Sequence, residues 1–465
     1  MSQVSRTLQS VLPLKAEHHT VVVDKHYPTD EDVSDDDPSH FEGVWFDHVR
    51  YGVHKQRSLT IANTGRVPAT MSFIDRPVGA GQLPGIAPTW LKIKVDEDYL
   101  TRSGSPTQAS HRILEPGDTC NVVLSLRIMD PHTVKALNEG IDQLDDILVL
   151  RVENGRDHFI PVRGKWLESS LGRSINKLIR IPEGGIRRLQ HQRPKSTGSR
   201  DLPVKSPEEL PVKWSAPREL FRLTEATETL TEAVIAELGM IASDEKPPWS
   251  TVAGWPFVKE SWSATDEDQR ADEMAAISEA LDTDIPLEKS FNHDISKQQR
   301  LESLAAFVMQ YILHVEDGVV TQDQWEQVEQ LMQKMDYEKK PASTDDQKTL
   351  IQEILSQSSA HSISFILLTS MMDRIINEIA AASSQRPDTS AVDLPTSPLK
   401  RTGTIRKKDI SKEPVTALRQ ITSRAYASIF AEAMIWAPIP QKEKDRTALQ
   451  ERKTRLIELF ITNNY

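Results

Sequence analysis

Between residues 41 and 167 apolar and polar side chains alternate in short runs, whereas beyond residue 217 the apolar positions recur three and four apart. This change of period constrains the fold more than any other feature. Alternation buries one face of a strand, and spacing of three and four buries one stripe of a helix. A single segment cannot satisfy both, so the chain divides into a β part followed by an α part. With 465 residues there is enough length for each part to bury its own core.

In the β part, strands are expected at residues 58–63, around Met71, Phe73 and Ile74, and at 90–95, 120–128, 147–152 and 159–162. Gly, Pro and Asn punctuate them, and Asn154-Gly155 has the composition of a two-residue hairpin turn. Many short strands in about 125 residues argue for an immunoglobulin-like β-sandwich. In the α part, Leu220, Leu223, Leu230, Val234 and Leu238 mark one helix, and Leu304, Phe307, Val308, Tyr311 and Ile312 mark another. Apolar spacing continues from Ile351 to Met371 and again through Tyr426, Ile429, Phe430 and Met434, with a last segment at 456–461. An all-α bundle follows from this pattern.

Three stretches lack either period. Residues 1–40 hold six carboxylates within 30–37, whose repulsion opposes compaction, so an acidic disordered tail is expected. Ser34 in that run suits an acid-directed kinase, and Thr396-Ser397-Pro398 suits a proline-directed one. Residues 173–210 are read as a basic linker, rich in Pro and Ser toward its end. Residues 384–414 are expected to form a disordered loop within the helical domain. The expected domains are therefore a tail at 1–40, a sandwich at 41–172, a linker at 173–210 and a helical domain at 211–465.

The formal charge of −12 gives a field that repels phosphate backbones, so nucleic acid is not an expected partner. Cys120 is the only cysteine; it lies in a strand-like run, where a buried, inert thiol is expected, and the chain suits a reducing compartment. No apolar run approaches the ~18 residues of a membrane span, and residues 1–10 lack the form of a secretion signal, so a cytoplasmic location is expected.

A search for converging catalytic groups finds none. His111, His132 and His361 have no partner at metal-ligand spacing, and no Walker-type loop is present. No metal or cofactor is expected. Trp45 and Trp166, near opposite ends of the sandwich, are read as anchors; Trp249, Trp255 and Trp262 are expected in the core rather than on a docking surface.

Several strings then bring a family into view. Phe46-x-x-Val49, the run from Ser58 to Phe73, Trp90-Leu91, Leu114-Glu115-Pro116-Gly117-Asp118, Asp145-Asp146-Ile147-Leu148-Val149-Leu150 and Phe159-x-x-x-x-Gly164-Lys165-Trp166-Leu167 resemble an ASH domain, a sandwich related to the major sperm protein fold. The resemblance is to the ASH domain of the Lowe-syndrome-type inositol polyphosphate 5-phosphatases. The helical half is similar to the RhoGAP-like domain that follows it there, on Pro217-Arg218-Glu219-Leu220, Leu281-Asp282-Thr283-Asp284 and Ala427-Ser428-Ile429-Phe430.

The resemblance implies recruitment to endosomal or Golgi membranes through small GTPases, Rab proteins at an edge of the sandwich and Rho-family proteins more weakly on the bundle. Short-peptide endocytic adaptors are a further implied partner, and membrane association would be peripheral. The family's Rab contact corresponds to Phe159, flanked by His158 and Ile160. Two departures bear on activity. The phosphatase module needs a Trp-Cys-Asp-Arg-type motif, which Thr119-Cys120-Asn121 does not supply. Active RhoGAP domains carry an arginine finger, worth roughly 10³ to 10⁵ in rate. The matching loop here, Gly254, Trp255, Pro256, Phe257, Val258 and Lys259, has no arginine, and an ammonium lacks the guanidinium fork. The family's supporting Lys and Arg fall at Val308 and Ile312, and its late Asn at Ala425. The expectation is a non-catalytic adaptor with a pseudo-GAP bundle. The alternatives are an active Rho GTPase activator using Lys259, Arg218 or Arg222, and an accessory part or fragment of a phosphoinositide 5-phosphatase.

Overall fold

The computed structural model describes residues 6–9, 20–26, 43–76, 85–96, 98–100, 111–191, 210–240, 246–263, 266–337, 343–385 and 413–461. They form two units, residues 1–169 and 170–465. The β-then-α division expected from the period change is what the chain adopts.

The first unit holds β1 (Arg6–Gln9), β2 (Thr20–His26), β3 (Val44–Val49), β4 (Lys55–Asn63), β5 (Ala69–Ile74), β6 (Leu91–Val95), β7 (Asp98–Leu100), β8 (Arg112–Leu114), β9 (Thr119–Leu126), α1 (Pro131–Asn138), β10 (Asp145–Val152) and β11 (Asp157–Trp166). Two sheets result, ordered β1-β2-β4-β9-β6-β7 and β3-β11-β10-β5-β8. All pairings are antiparallel except β3 with β11. Alternation sends Leu59, Ile61, Val122, Leu124 and Ile93 of one sheet and Phe46, Phe73, Leu148, Leu150 and Val162 of the other into the core. Arg57 and Lys55 reach from β4 to the carbonyls of Trp45 and Phe46 on β3, at 2.9 and 3.1 Å, tying the two sheets at one margin.

Four expectations need correction in this unit. Residues 1–40 are not uniformly unstructured: β2 pairs with β4 from Val21↔Asn63 to His26↔Ser58. Its Thr-Val-Val-Val start has the β-branched composition that favours a strand, outside the acidic run. That run lies outside the described residues. Secondly, Asn154-Gly155 is not the central pair of a two-residue turn. Only Asn154 is left-handed (φ 58°), and the amide of Gly155 donates to Val152 O at 2.9 Å, so Glu153 and Asn154 make the turn. Thirdly, the sandwich unit ends at Ser169 rather than 172. Fourthly, Trp45 and Trp166 are both half-buried, but Trp45 stands beside Arg163, three positions from Trp166 along β11, so the two do not occupy opposite ends of the sandwich; the Trp166 indole donates to Asn138 at 3.0 Å. Gly164 sits at a register shift between Arg163 and Lys165, where a Cβ would meet Val49 Cγ2 at 2.9 Å. A bulge with that clearance requires glycine.

Cys120 is buried on β9, and desolvation followed by the neighbouring Asp96 carboxylate pushes its thiol up to about 12. The expected inert strand thiol is what the sandwich contains.

The second unit holds α2 (Ile175–Leu178), α3 (Gly185–His191), α4 (Arg218–Met240), α5 (Pro248–Thr251), α6 (Glu267–Asp282), α7 (Lys297–Leu313), α8 (Gln322–Tyr337), α9 (Thr344–Leu355), α10 (Ser359–Gln385), α11 (Glu413–Met434) and α12 (Glu443–Ile461). α4 packs on α7 and α10, and α11 on α10 and α12. Leu220, Leu223, Leu304, Phe307, Val308, Ile312, Met371, Tyr426, Phe430 and Leu456 lie in its core, as their spacing implies. Ser296 and Gln299 cap α7 reciprocally. The apolar run from Ile351 to Met371 is two helices, α9 and α10, broken at residues 356–358.

The expected linker at 173–210 is corrected over its first half. Residues 170–191 fold onto the helical unit, burying Leu171, Ile175, Leu178, Ile179, Ile181 and Ile186. Ile175 and Ile179 cluster with Val315, Ala360 and Trp214. Polar anchors fix this path: Ile175 N donates to Asp317 at 2.9 Å, Lys177 pairs with Glu316 at 3.0 Å and Arg187 with Glu279 at 2.6 Å. Residues 192–209 and 386–412, the remainder of the expected linker and loop, lie outside the described residues.

Candidate functional site

Four rows of side chains cross from β11 to β10 on the outer face of the five-stranded sheet, because residues directly opposite in register share a face. In order they are Asp157↔Arg151, Phe159↔Val149, Pro161↔Ile147 and Arg163↔Asp145. The two middle rows are apolar, and Val149 continues to Ile74 on β5. The two outer rows are ion pairs: Arg151 grips Asp157 with bonds of 2.9 and 2.8 Å, and Arg163 binds Asp145 at 2.9 and 2.6 Å. Phe159 is 63% exposed and Ile147 40%, while Val149 is buried. An apolar centre with a charged margin is the anatomy of a protein-docking surface.

The three expected contact residues do not act together. Phe159 faces solvent, but His158 and Ile160 point into the sandwich, at 6% and 4% exposure. A period of two forces this: neighbours of an outward residue face inward. Burial also pushes the His158 imidazole below its usual value, keeping it neutral. His158 and Ile160 are therefore corrected from contact to core. Phe159 stands on the outer face and at an open stretch of the sheet's margin, since β3 flanks β11 only from Val162 to Trp166. The sequence reading missed Ile147, Pro161 and the two ion pairs. Their signal was present as two parallel strings, Asp145-x-Ile147-x-Val149-x-Arg151 and Asp157-x-Phe159-x-Pro161-x-Arg163, each with a charge at both ends.

In the helical unit, the loop from Gly254 to Lys259 is braced from several sides. Trp255 and Phe257 are buried, and the Trp255–Pro256 peptide is cis. Trp249 packs on Trp255 with ring centroids 5.1 Å apart, and Phe257 packs edge-on against Tyr426 and Phe430. The Tyr426 hydroxyl donates to Trp255 O. Gly254 leaves no room for a Cβ, which would lie 2.8 Å from Ile429 and 2.9 Å from Val258. Trp262 donates to Pro256 O at 2.7 Å, and the next residue, Ser263, is held by the buried Glu302 carboxylate. The core role expected for Trp249 and Trp255 is the one they have.

Lys259 is exposed and pairs with Glu267 at 2.5 Å. Arg270 lies against this region, its guanidinium 4.2 Å from the Trp262 ring centroid, but it is buried. Arg218 and Arg222 are engaged elsewhere. Both bind Asp284, at 2.7 and 3.4 Å, Arg222 also donates to Ile285 O, and Arg218 lies over the Trp214 ring. An open pocket of about 210 Å³ beside them is lined by Glu225, Glu288 and Leu287 as well as Arg222. Val308 and Ile312 are fully buried.

His361 does join a Ser-His-Asp chain, which the sequence spacing concealed: Ser358 Oγ lies 2.7 Å from Nδ1 and Asp317 Oδ2 3.1 Å from Nε2. The ring is buried, and Asp317 also holds the Ile175 amide, so the chain is a tie between α10, the turn after α7 and α2. Among the described residues no group of three or more His, Cys, Asp or Glu is arranged to hold a metal, and no helix is long and apolar enough to cross a membrane.

Comparison with known proteins bears on the sandwich. Residues 40–166 match the family described as inositol polyphosphate 5-phosphatase OCRL-like, ASH domain. The type II inositol 1,4,5-trisphosphate 5-phosphatase of Mus musculus is 30% identical over 138 residues, covering 30% of this chain and 12% of that protein. The match thus spans a small part of the relative's length. Within residues 40–166 fall both strands that build the four-row face, together with the bulge glycine at 164. Residues 40–166 are an ASH domain of the OCRL-like inositol polyphosphate 5-phosphatase type.

Proposed function

We propose that this protein is a non-catalytic adaptor that binds small GTPases, with a Rab-type protein seated on the outer sheet face around Phe159. The observation that carries the reading is the exposure of Phe159 and Ile147 between two ion-pair rows on an ASH domain. Binding energy in protein interfaces concentrates in aromatic anchors that a partner covers at the centre of a polar margin. The helical unit acts as a pseudo-GAP that retains affinity for Rho-family GTPases without accelerating hydrolysis. Supporting this, the finger loop offers Lys259 in place of an arginine, and the positions of the supporting cations are the buried Val308 and Ile312. Membrane attachment is peripheral and passes through the GTPases, on endosomal or Golgi surfaces.

The test uses the full chain with Rab and Rho proteins in controlled nucleotide states. Phe159→Asp is expected to abolish binding to the GTP-loaded Rab while the melting temperature is retained; undiminished binding refutes the assignment of the face. Addition of the chain to GTP-loaded Rho-family proteins is expected to leave hydrolysis at its intrinsic rate, and acceleration refutes the pseudo-GAP.

A further inference from the structure

Glu219 occupies the first turn of α4, where the helix N-terminus ordinarily favours a carboxylate. It is nonetheless only 2% exposed, and its Oε2 meets no hydrogen-bond donor among the described residues. Burial pushes its carboxyl up to about 7, with the Asp282 charge acting in the same direction; its own backbone amide, Arg218 and Arg222 oppose the shift. Arg218 comes no closer to Glu219 than 4.0 Å and gives its short contact to Asp284. Tyr311 faces the same volume from α7, its hydroxyl raised by burial and by Glu219 and Asp282, and lowered by Ser170 and Arg173.

Residues 170–191 enter this cluster directly. Ser170 gives its amide and its hydroxyl to Asp282 Oδ1, each at 2.8 Å, and Arg187 reaches Asp282 Oδ2 at 3.5 Å. Asp282 is thus a buried charge already committed to holding the segment. The second buried carboxylate, Glu219, has Arg218 as its ion-pair partner at 4.0 Å, and Arg218 itself donates to Pro182 O of the segment at 3.5 Å.

We propose that Glu219 is a proton-operated latch: protonated, it completes a neutral wall against which residues 170–191 dock, and deprotonated it sets a second negative charge beside Asp282 and loosens that segment. The direction follows from linkage. The docked state holds the Glu219 proton up to about pH 7, whereas in the opened, hydrated state the carboxyl returns toward its ordinary value of 4.5. Docking is therefore fully supported below pH 4.5 and loses that support as pH rises through 7. Within this window the opening constant grows about tenfold per pH unit.

Hydrogen exchange of the full chain, measured from pH 5.5 to 8 and corrected for intrinsic exchange, tests this. Protection over residues 170–191 is expected to fall on the order of tenfold or more between pH 5.5 and 7, then level off. Glu219→Gln, which fixes the uncharged form, is expected to keep protection high and flat. Glu273→Gln removes another buried, raised carboxyl that is coupled to Ser303, Arg270 and Glu302 instead, and should leave the slope intact. A flat wild-type profile overturns the latch, even if Glu219→Gln does not fold. So does a slope that survives Glu219→Gln or disappears in Glu273→Gln.

Discussion

Asp282, at the end of α6, accepts both the amide and the hydroxyl of Ser170 on a single carboxylate oxygen, each at 2.8 Å across 112 residues of sequence. Two residues on, Asp284 adopts a left-handed conformation (φ 63°) and accepts the Gly184 amide at 3.0 Å and Arg218 at 2.7 Å. The Leu281-Asp282-Thr283-Asp284 string is thereby a clamp for the chain that follows the sandwich. Its acids are spent on backbone and arginine partners rather than on a ligand.

Gly185 marks how closely that chain approaches the clamp. Its φ is +75°, and a Cβ there would lie 2.1 Å from Asp282 O. Gly185→Ala is expected to destabilise the helical unit by on the order of 3 kcal/mol, since neither the conformation nor the contact tolerates a side chain. Chemical denaturation of the full chain checks this, and a loss under about 1 kcal/mol contradicts the docked path of residues 170–191.

Adjacent positions on β11 should respond oppositely to truncation. Ile160→Ala removes a core side chain and is expected to cost about 2–4 kcal/mol. Phe159→Ala, on the outer face, is expected to cost less than about 1 kcal/mol while weakening GTPase binding. Denaturation and pulldown on the same two variants separate fold from docking; equal stability losses would place Phe159 in the core.

The His361 tie gives a third expectation. Asp317→Ala strips partners from both His361 Nε2 and the Ile175 amide, two buried donors. The cost is expected to be roughly 2–4 kcal/mol, and exchange of the α2 amides should quicken. Ser358→Ala, which alters only the half-buried end, should cost less.

Cys120 offers a chemical test of the sandwich. With its thiol raised to about 12 by burial and by Asp96, the reactive thiolate is scarce at pH 8. Alkylation is expected to run on the order of a thousandfold slower in the folded chain than in denaturant. Prompt labelling of native protein would mean that β9 is not packed as described.

Lys259 tests the loop. Removing its exposed pair with Glu267 by Lys259→Ala should leave the melting temperature essentially unchanged, because solvent screens such a pair. Lys259→Arg restores a fork but not the two supporting cations, so GTP hydrolysis by Rho-family proteins should remain at the intrinsic rate. Measurable activation by the arginine variant would count against the pseudo-GAP proposal.

The sequence by itself determined the succession of β and α units, the burial of Cys120, Trp249 and Trp255, and the absence of arginine from the loop around Phe257. Each follows from local period or residue identity, which needs no knowledge of distant neighbours. Which residues surround Phe159 was decided only by tertiary structure, because a face is made by register: Ile147 and Val149 stand beside Pro161 and Phe159 once β10 and β11 pair. The fate of residues 170–191 was decided in the same way. Residues 173–191 read locally as the start of a linker, and the segment folds because its Leu and Ile side chains are buried on the helical unit while Asp282, Asp284 and Asp317, more than ninety residues away in the chain, accept its amides.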